Sequence, residues 1–473
     1  MRRLSGLDSI FLYAETPSMH MHVTGVILLD PSTMPGGYSI DTVKQMLTSR
    51  MHLLPPFRER VMTVPFQLAH PLLIEDPAFD IDNHLFRIGV PAPGTLQDLA
   101  ELVGNIASRP LDRSKPLWEM WVAEGLEHGY VALIAKMHHC VIDGVSGADL
   151  MVHLFDLEPD TKVEPPEQEW QPEHKPSDVE LVTHSVASRI RHWPQVFPTM
   201  ARTGRSALEL LRVVRRNEGP AATLPFTAPR TSFSGAVTPH RAVAFGKASL
   251  DDFKLVKKVY GTTVNDVVLA ACAGTMRKWL IAHDDLPEKS LVASVPVSVR
   301  SDDKQDQPGN QLSAMFVGLP VHIEDPIERL LHIRSDTKSA KDVHGAIGAD
   351  ALQNWAEFAA PAVFARAARF YSASKLADRH PVVHNLVISN VPGPPVPLYS
   401  AGARVLAVYP FGPIIEGAGL NLTVLSNMGS VDFGAIACRE MVPDLWDIAT
   451  GFTEAVEELR KLAEERQGTR SGG

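Results

Sequence analysis

The amino-acid sequence predicts an α/β (mixed α+β) protein. Short β-branched runs alternate with amphipathic or Ala-rich helical runs. They do so on both sides of a Pro- and Glu-rich stretch. At 473 residues the chain is too long for one ordinary core, so two domains are expected.

The elements follow in order. Val131-Ala-Leu-Ile-Ala-Lys-Met137 is short, apolar and begins β-branched, which reads as a buried strand. Ser146-Gly-Ala-Asp149 resembles a loose capping box opening a helix over Leu150 to Phe155. From Leu157 to Asp178 the composition shifts to Pro, Glu, Asp and Gln, and Glu164-Pro-Pro-Glu-Gln-Glu reads as a solvated linker. Val179 to Arg216 interleaves aliphatics with Arg189, Arg191, Arg202, Arg205, Arg212, Arg215 and Arg216. It reads as one or two helices broken at Pro194 and Pro198. A second domain starts near Thr231 with a strand at Arg241 to Phe245 and helical spacing from Leu250 to Val259. Thr263-Val-Asn265-Asp266 precedes an Ala-rich helix over Val267 to Gly274. Leu291 to Arg300, Leu386 to Asn390 and Leu420 to Ser426 read as strands, and Leu445 to Glu465 as an amphipathic helix. The resulting division is 1–156, a linker and crossover at 157–230, a second half at 231–466, and a disordered tail at 467–473.

Composition excludes several classes. Hydrophobic residues make up 45% and charged residues 21%, ordinary for a globular protein. A net charge of -10 argues against a broad nucleic-acid surface. Cys140, Cys272 and Cys438 show no Cys-x-x-Cys spacing, so neither a zinc site nor a disulfide framework is expected. The odd cysteine count and the polar start Met1-Arg-Arg-Leu-Ser-Gly-Leu-Asp8 fit a reducing cytoplasm without a secretory leader. No apolar run approaches the roughly 20 residues that span a bilayer.

His138-His139-Cys-Val-Ile-Asp143-Gly144 is the stretch that carries chemistry. Adjacent histidines on a strand point to opposite faces, so a shared metal ion is disfavoured. Gly144-Val-Ser146-Gly-Ala148 is one residue short of a nucleophile elbow, and its strand delivers His rather than Ser to the turn. A Cys140 nucleophile is disfavoured because neighbouring side chains diverge and buried Cys is commonly inert. Two readings remain: a pair of core histidines, or one imidazole aimed into a cleft as a general base. Asp143 can lock the turn or orient the ring, and Gly144 can supply a tight turn.

The same string resembles the signature of acyl-CoA-dependent acyltransferases. It is most similar to the bacterial wax ester synthase/acyl-CoA:diacylglycerol acyltransferase family. Further blocks agree in order: Leu7-Asp8-Ser-Ile-Phe-Leu12, Thr16-Pro17 with Met19-His-Met-His22-Val23, and Pro110 to Glu119 with its Pro116-Leu117-Trp118 core. Then come Asn265-Asp266, Pro296-Val-Ser-Val-Arg300, Gly309-Asn310 and Asn390-Val-Pro392-Gly393-Pro394. Asp432-Phe-Gly-Ala-Ile436 lacks the Trp-Gly half found in the related plant acyltransferases, which argues against that branch. Where the lipid family often places an Asp after the late strand, this chain has Cys438-Arg439-Glu440.

The resemblance implies the chloramphenicol-acetyltransferase fold, with two similar halves facing each other across a tunnel. It implies His139 as the general base, His138 as its support, Asp143 as the residue holding the motif loop, and Gly144 as the turn. Arg58, Arg60, Arg113 and Arg300 are the candidate partners of Asp143. Asn265 is implied near the active site, either supporting substrate or oxyanion or capping the following helix. Acyl-CoA is implied as co-substrate, with no resident cofactor and no metal. The implied acceptor is diacylglycerol, with a long-chain alcohol second; water would make a hydrolase. A non-catalytic lipid-binding homologue is the remaining alternative. A peripheral contact with the inner membrane or a lipid droplet is implied by the substrates. The Arg189–Arg216 segment is its candidate surface, unless it packs across the halves.

Overall fold

The computed structural model describes residues 2–67, 69–142, 153–161, 176–177, 179–183, 223–298, 312–347 and 361–471. Asp143, Gly144, Arg300, Gly309, Asn310 and the Arg189–Arg216 segment lie outside them, as do residues 150–152, the first half of the helix expected over Leu150 to Phe155.

The N-terminal region holds β1 (Arg2–Arg3), α1 (Gly6–Ala14), β2 (His22–Asp30), α2 (Ile40–Arg50), β3 (Glu59–Met62), β4 (Leu72–Glu75), β5 (Leu85–Gly89), α3 (Leu96–Ala107), β6 (Trp118–Glu124), β7 (Val131–His138) and α4 (His139–Ile142). Helix starts follow local chemistry. Ser5 accepts the Asp8 amide at α1, and Thr95 with Asp98 forms a reciprocal capping box at α3.

The second region holds β8 (Arg241–Ser249), α5 (Leu250–Tyr260), α6 (Val264–Ala282), β9 (Leu291–Ser298), β10 (Leu312–Leu319), α7 (Pro326–Ile347) and α8 (Pro361–Ala373). It continues with β11 (Leu386–Val391), β12 (Tyr399–Ser400), β13 (Ala403–Phe411), β14 (Leu420–Asn427), β15 (Ser430–Cys438) and α9 (Leu445–Ser471). α5 stops where Gly261 adopts a left-handed conformation (φ 67°), which a residue without Cβ reaches at little cost.

Two elements depart from the sequence expectation. The Ala-rich helix α6 begins at Val264 rather than Val267, because Thr263 is the N-cap and Asp266 closes the capping box on it. Asn265 therefore sits inside the first helical turn. The closing helix runs to Ser471, so residues 467–471, expected in a disordered tail, are helical. Arg466 lies 4.9 Å from the Tyr260 ring centroid, and Arg460 pairs with Glu464 one turn along, which extends the helix past its apolar stripe.

Two six-stranded sheets form the frame, in the orders β12-β13-β2-β7-β6-β5 and β10-β9-β11-β14-β15-β8. A smaller sheet has the order β1-β4-β3. The 231–466 stretch thus lends two strands to the N-terminal sheet. β13 runs antiparallel to β2 from Arg404↔Asp30 to Phe411↔Thr24. Val26 and Ile134 of the first sheet share a core with Phe245, Phe411 and Ile436. Burying each such side chain contributes about 1.5–3 kcal/mol.

The crossover strand is pinned by polar contacts as well. Asp432 on β15 is fully buried and accepts the Val408 amide of β13 at 2.8 Å, with Asn427 and Ser430 donating at 3.1 and 2.9 Å. A Cβ on Gly434 would lie 2.1 Å from the Pro410 carbonyl oxygen, so only glycine admits β13 this close. The Asp432-Phe-Gly434 string is a strand-packing device here. Arg241, at the start of β8, donates to the Ser18 carbonyl at 2.5 Å and ties the second region to the segment before β2.

Candidate active site

The histidine pair stands where β7 gives way to α4. His138 closes the strand, paired with His22 of β2, and its amide donates to the Leu117 carbonyl at 3.0 Å. The Pro116-Leu117-Trp118 block holds that carbonyl in place. Trp118 is buried between Phe57 and His84 and donates its indole N–H to the Phe57 carbonyl at 2.8 Å. His139 opens a helical turn, so strand alternation ends at His138. Its amide donates to the Met21 carbonyl at 2.9 Å.

The two imidazoles have unequal surroundings. His138 is 1% exposed. Its Nδ1 accepts the Cys140 amide at 3.1 Å, which leaves the proton on Nε2 in the neutral ring. Nε2 faces Glu15 Oε2 at 3.5 Å, long for a hydrogen bond and within ion-pair range. Burial lowers the His138 pKa, and Glu15 opposes that shift without reversing it. Glu15 is itself largely buried, which works to raise its pKa, but contacts with His138 and Arg113 prevail and hold the carboxyl below its usual range. Arg113 donates Nε–H to Glu15 Oε2 at 2.9 Å and Nη2–H to the Leu12 carbonyl at 2.9 Å.

His139 keeps partial solvent access. Its ring stacks on Phe11 with centroids 4.1 Å apart. Apolar packing, and then repulsion from His138, push its pKa down to about 4. The ring is therefore neutral throughout the physiological range. Burial drives the Cys140 thiol well above its ordinary pKa, which removes it as a thiolate nucleophile.

Behind the pair lie two further imidazoles. His22 sits edge-on to His138 at 5.9 Å, and His20 stacks on His22 at 5.5 Å. Both are buried, and together with Thr24 and Arg241 they line a cavity of about 10 Å³.

Asn265 lies apart from the pair in sequence, at the head of α6, and its Oδ1 is 3.5 Å from the Asn390 side-chain amide at the end of β11. Thr263 and Asp266 already cap α6, so the Asn265 amide is not used as a cap. The Pro392-Gly393-Pro394 turn crosses β14 closely. A Cβ on Gly393 would lie 2.1 Å from the Ser426 carbonyl oxygen, while the Gly393 amide donates to Ser426 Oγ at 3.0 Å.

The three candidate arginines among the described residues each hold a carboxylate: Arg58 lies 3.4 Å from Glu75, Arg60 lies 3.7 Å from Asp76, and Arg113 pairs with Glu15. Sequence reasoning missed Glu15, Phe11, His20 and His22 as neighbours of the pair. Glu15 carried a signal: an acid directly after a helix C-terminus opposes the helix dipole and calls for a tertiary cation.

The residues 4–268 match the wax ester synthase/diacylglycerol acyltransferase catalytic domain, and 308–460 match the C-terminal domain of the same family. The chain belongs to the wax ester synthase/diacylglycerol acyltransferase family. The Mycobacterium tuberculosis protein named "Putative diacyglycerol O-acyltransferase Rv1760" is 41% identical over 469 residues, spanning 98% of this chain and 91% of that protein. The solved wax ester synthase/diacylglycerol acyltransferase from Marinobacter aquaeolei VT8 is 29% identical, covers 98% of this chain and 100% of its own, and superposes with a TM-score of 0.67. The starter condensation domain of rhizomide synthetase shares the fold at 12% identity, with a TM-score of 0.55 over 98% of this chain and 94% of its own. The expected α/β class and acyltransferase identity therefore hold. Among the described residues of this family member, no helix is long and apolar enough to cross a membrane.

Proposed function

We propose that this acyltransferase moves a long-chain acyl group from acyl-CoA to the free hydroxyl of diacylglycerol, with His139 as general base. The neutral His139 ring at the β7–α4 junction carries the reading. Its partner His138 is fixed in one tautomer by Cys140 and Glu15. The relatives' names favour diacylglycerol as acceptor.

In the proposed step the acceptor hydroxyl gives its proton to His139 while its oxygen attacks the thioester carbonyl. The tetrahedral oxyanion takes a hydrogen bond from the Asn265 side chain. As the carbon–sulfur bond breaks, the imidazolium returns the proton to the departing thiolate. No acyl-enzyme forms, so no nucleophilic Ser or Cys is needed. Base catalysis of this kind contributes roughly 10²–10⁴-fold, and alignment of the two substrates contributes the rest. Asp143 and Gly144 are assigned to hold the motif loop, and acyl-CoA is a co-substrate rather than a resident cofactor.

A second acceptor class has its own support, since the Marinobacter structure is named for wax ester synthesis as well. The test is thiol release from a long-chain acyl-CoA with diacylglycerol, with a long-chain alcohol, and with neither. Release that needs diacylglycerol and disappears in His139→Ala is the expected result. Equal release without an acceptor means a hydrolase, no release at all means a lipid-binding homologue, and wild-type turnover in His139→Ala removes the base assignment.

A further inference from the structure

A groove of about 480 Å³ opens at the head of α6, lined by Thr263 and Asp266 on either side of Asn265 in the chain, and is walled by α7. Arg334, Lys338 and Lys341 project from α7 at i, i+4 and i+7 spacing, which places them on one helix face. All three are exposed, and none forms an ion pair among the described residues. The opposite wall is the N-terminus of α6, whose first amides lack intrahelical acceptors and carry the positive end of the helix dipole. The carboxylate in the groove, Asp266, is 4% exposed and already accepts the Thr263 amide at 2.8 Å and the Thr337 hydroxyl at 2.9 Å.

A second observation points to a ligand. Thr262 lines the groove, is 6% exposed, and its hydroxyl has no hydrogen-bond partner among the described residues. A buried hydroxyl left unpaired costs about 1–3 kcal/mol, so such groups normally meet an external acceptor. Three unpaired cations, a helix N-terminus and a free hydroxyl donor together describe an anion site for several phosphates.

We infer that this groove binds the phosphate-bearing nucleotide end of acyl-CoA, held by Arg334, Lys338, Lys341 and Thr262. The inference rests on the acyl-CoA reading above and adds the residues that would anchor that substrate. The groove and Asn265 share one helix start. A nucleotide seated on α7 leaves its thioester arm free to pass along α6 toward Asn265 and Asn390, at the carboxyl end of the parallel strand β11.

The test uses the full chain and two readouts. Calorimetric titration with CoA should show Arg334→Ala/Lys338→Ala/Lys341→Ala binding at least about 10-fold more weakly than wild type, and Thr262→Val about 3-fold more weakly. Added salt should weaken wild-type binding far more than triple-variant binding. In steady-state transfer the triple variant should raise KM for acyl-CoA with kcat retained. KM should stay unchanged for the same acyl group on N-acetylcysteamine, which has no phosphates. Unchanged CoA affinity in the triple variant overturns the site. So does an equal rise of KM for both thioesters, or loss of phosphatidylserine-vesicle binding with CoA affinity intact. A wild type that binds CoA through these residues and transfers no acyl group leaves the site standing and sinks the proposed function. Transfer from the cysteamine thioester without CoA binding does the reverse.

Discussion

Glu15 Oε2 lies 3.5 Å from Nε2 of His138, whose other nitrogen accepts the Cys140 amide at 3.1 Å. An acid from the end of α1 thus fixes the ring that directly precedes His139. Replacing Glu15 by Gln keeps the shape but removes the charge that steers the proton to Nε2. The expected result is a kcat about 5-fold lower, as loss of an ion pair worth about 1 kcal/mol gives, with KM and melting temperature little changed. Steady-state kinetics beside a thermal melt check it. Arg113 is partly exposed, so the variant leaves no buried bare cation.

The low pKa of His139 gives a pH signature. A base needed in its neutral form is available above about 4 and lost as pH falls through that value. The acyl-transfer rate, measured at saturating substrates, should stay flat from about pH 8 to pH 5.5. An acid limb near pH 6.5, the ordinary imidazole value, would show a different base or a more solvated ring.

The same burial affects stability. His20, His139 and His384 are each pushed from 6.5 down to about 4 by burial. Between those values the unfolded chain binds more protons than the folded one, so stability falls as pH drops through this window. The midpoint of urea unfolding should therefore be lower at pH 5 than at pH 7. His139, partly exposed, should contribute least. An unchanged midpoint would mean these rings are hydrated in the folded state.

The oxyanion role proposed for Asn265 can be separated from the capping role of Thr263 on the same helix turn. Thr263→Ala removes the α6 cap and should cost about 1 kcal/mol in unfolding free energy. Asn265→Ala touches no cap and should leave stability unchanged while lowering kcat about 10²-fold, as loss of one oxyanion donor does. A variant that melts early with normal turnover would return Asn265 to a structural role.

Gly434→Ala tests the crossover strand. Its added methyl would meet the Pro410 carbonyl oxygen at 2.1 Å, and the backbones of β13 and β15 have no flexible side chain to yield there. A loss of about 2–3 kcal/mol by denaturant titration is expected. A neutral effect would mean that β13 is free to move away from β15.

Much of the frame was legible because burial periodicity and capping are local. The apolar run at Val131 to Met137 became β7, Leu420 to Ser426 lies within β14, and the helical spacing from Leu250 became α5. Local reading slipped where two signals overlapped. Asp266 looked like a residue before the helix, yet capping boxes place their acid inside the first turn, so α6 starts earlier. The tail beyond Gln467 is polar, but i,i+4 pairing and the Arg466–Tyr260 contact carry the helix on.

The sequence alone determined the α/β class, the strand that ends in His138-His139, and the membership that those ordered motifs announce. These depend on contacts within a few residues, whose spacing the chain displays directly. Only the tertiary structure decided that Glu15 faces His138, that Phe11 stacks on His139, and that β13 joins the N-terminal sheet beside β2. Such partners meet because distant segments share one buried surface. A charge or ring that finds its partner there leaves no periodic mark in the chain.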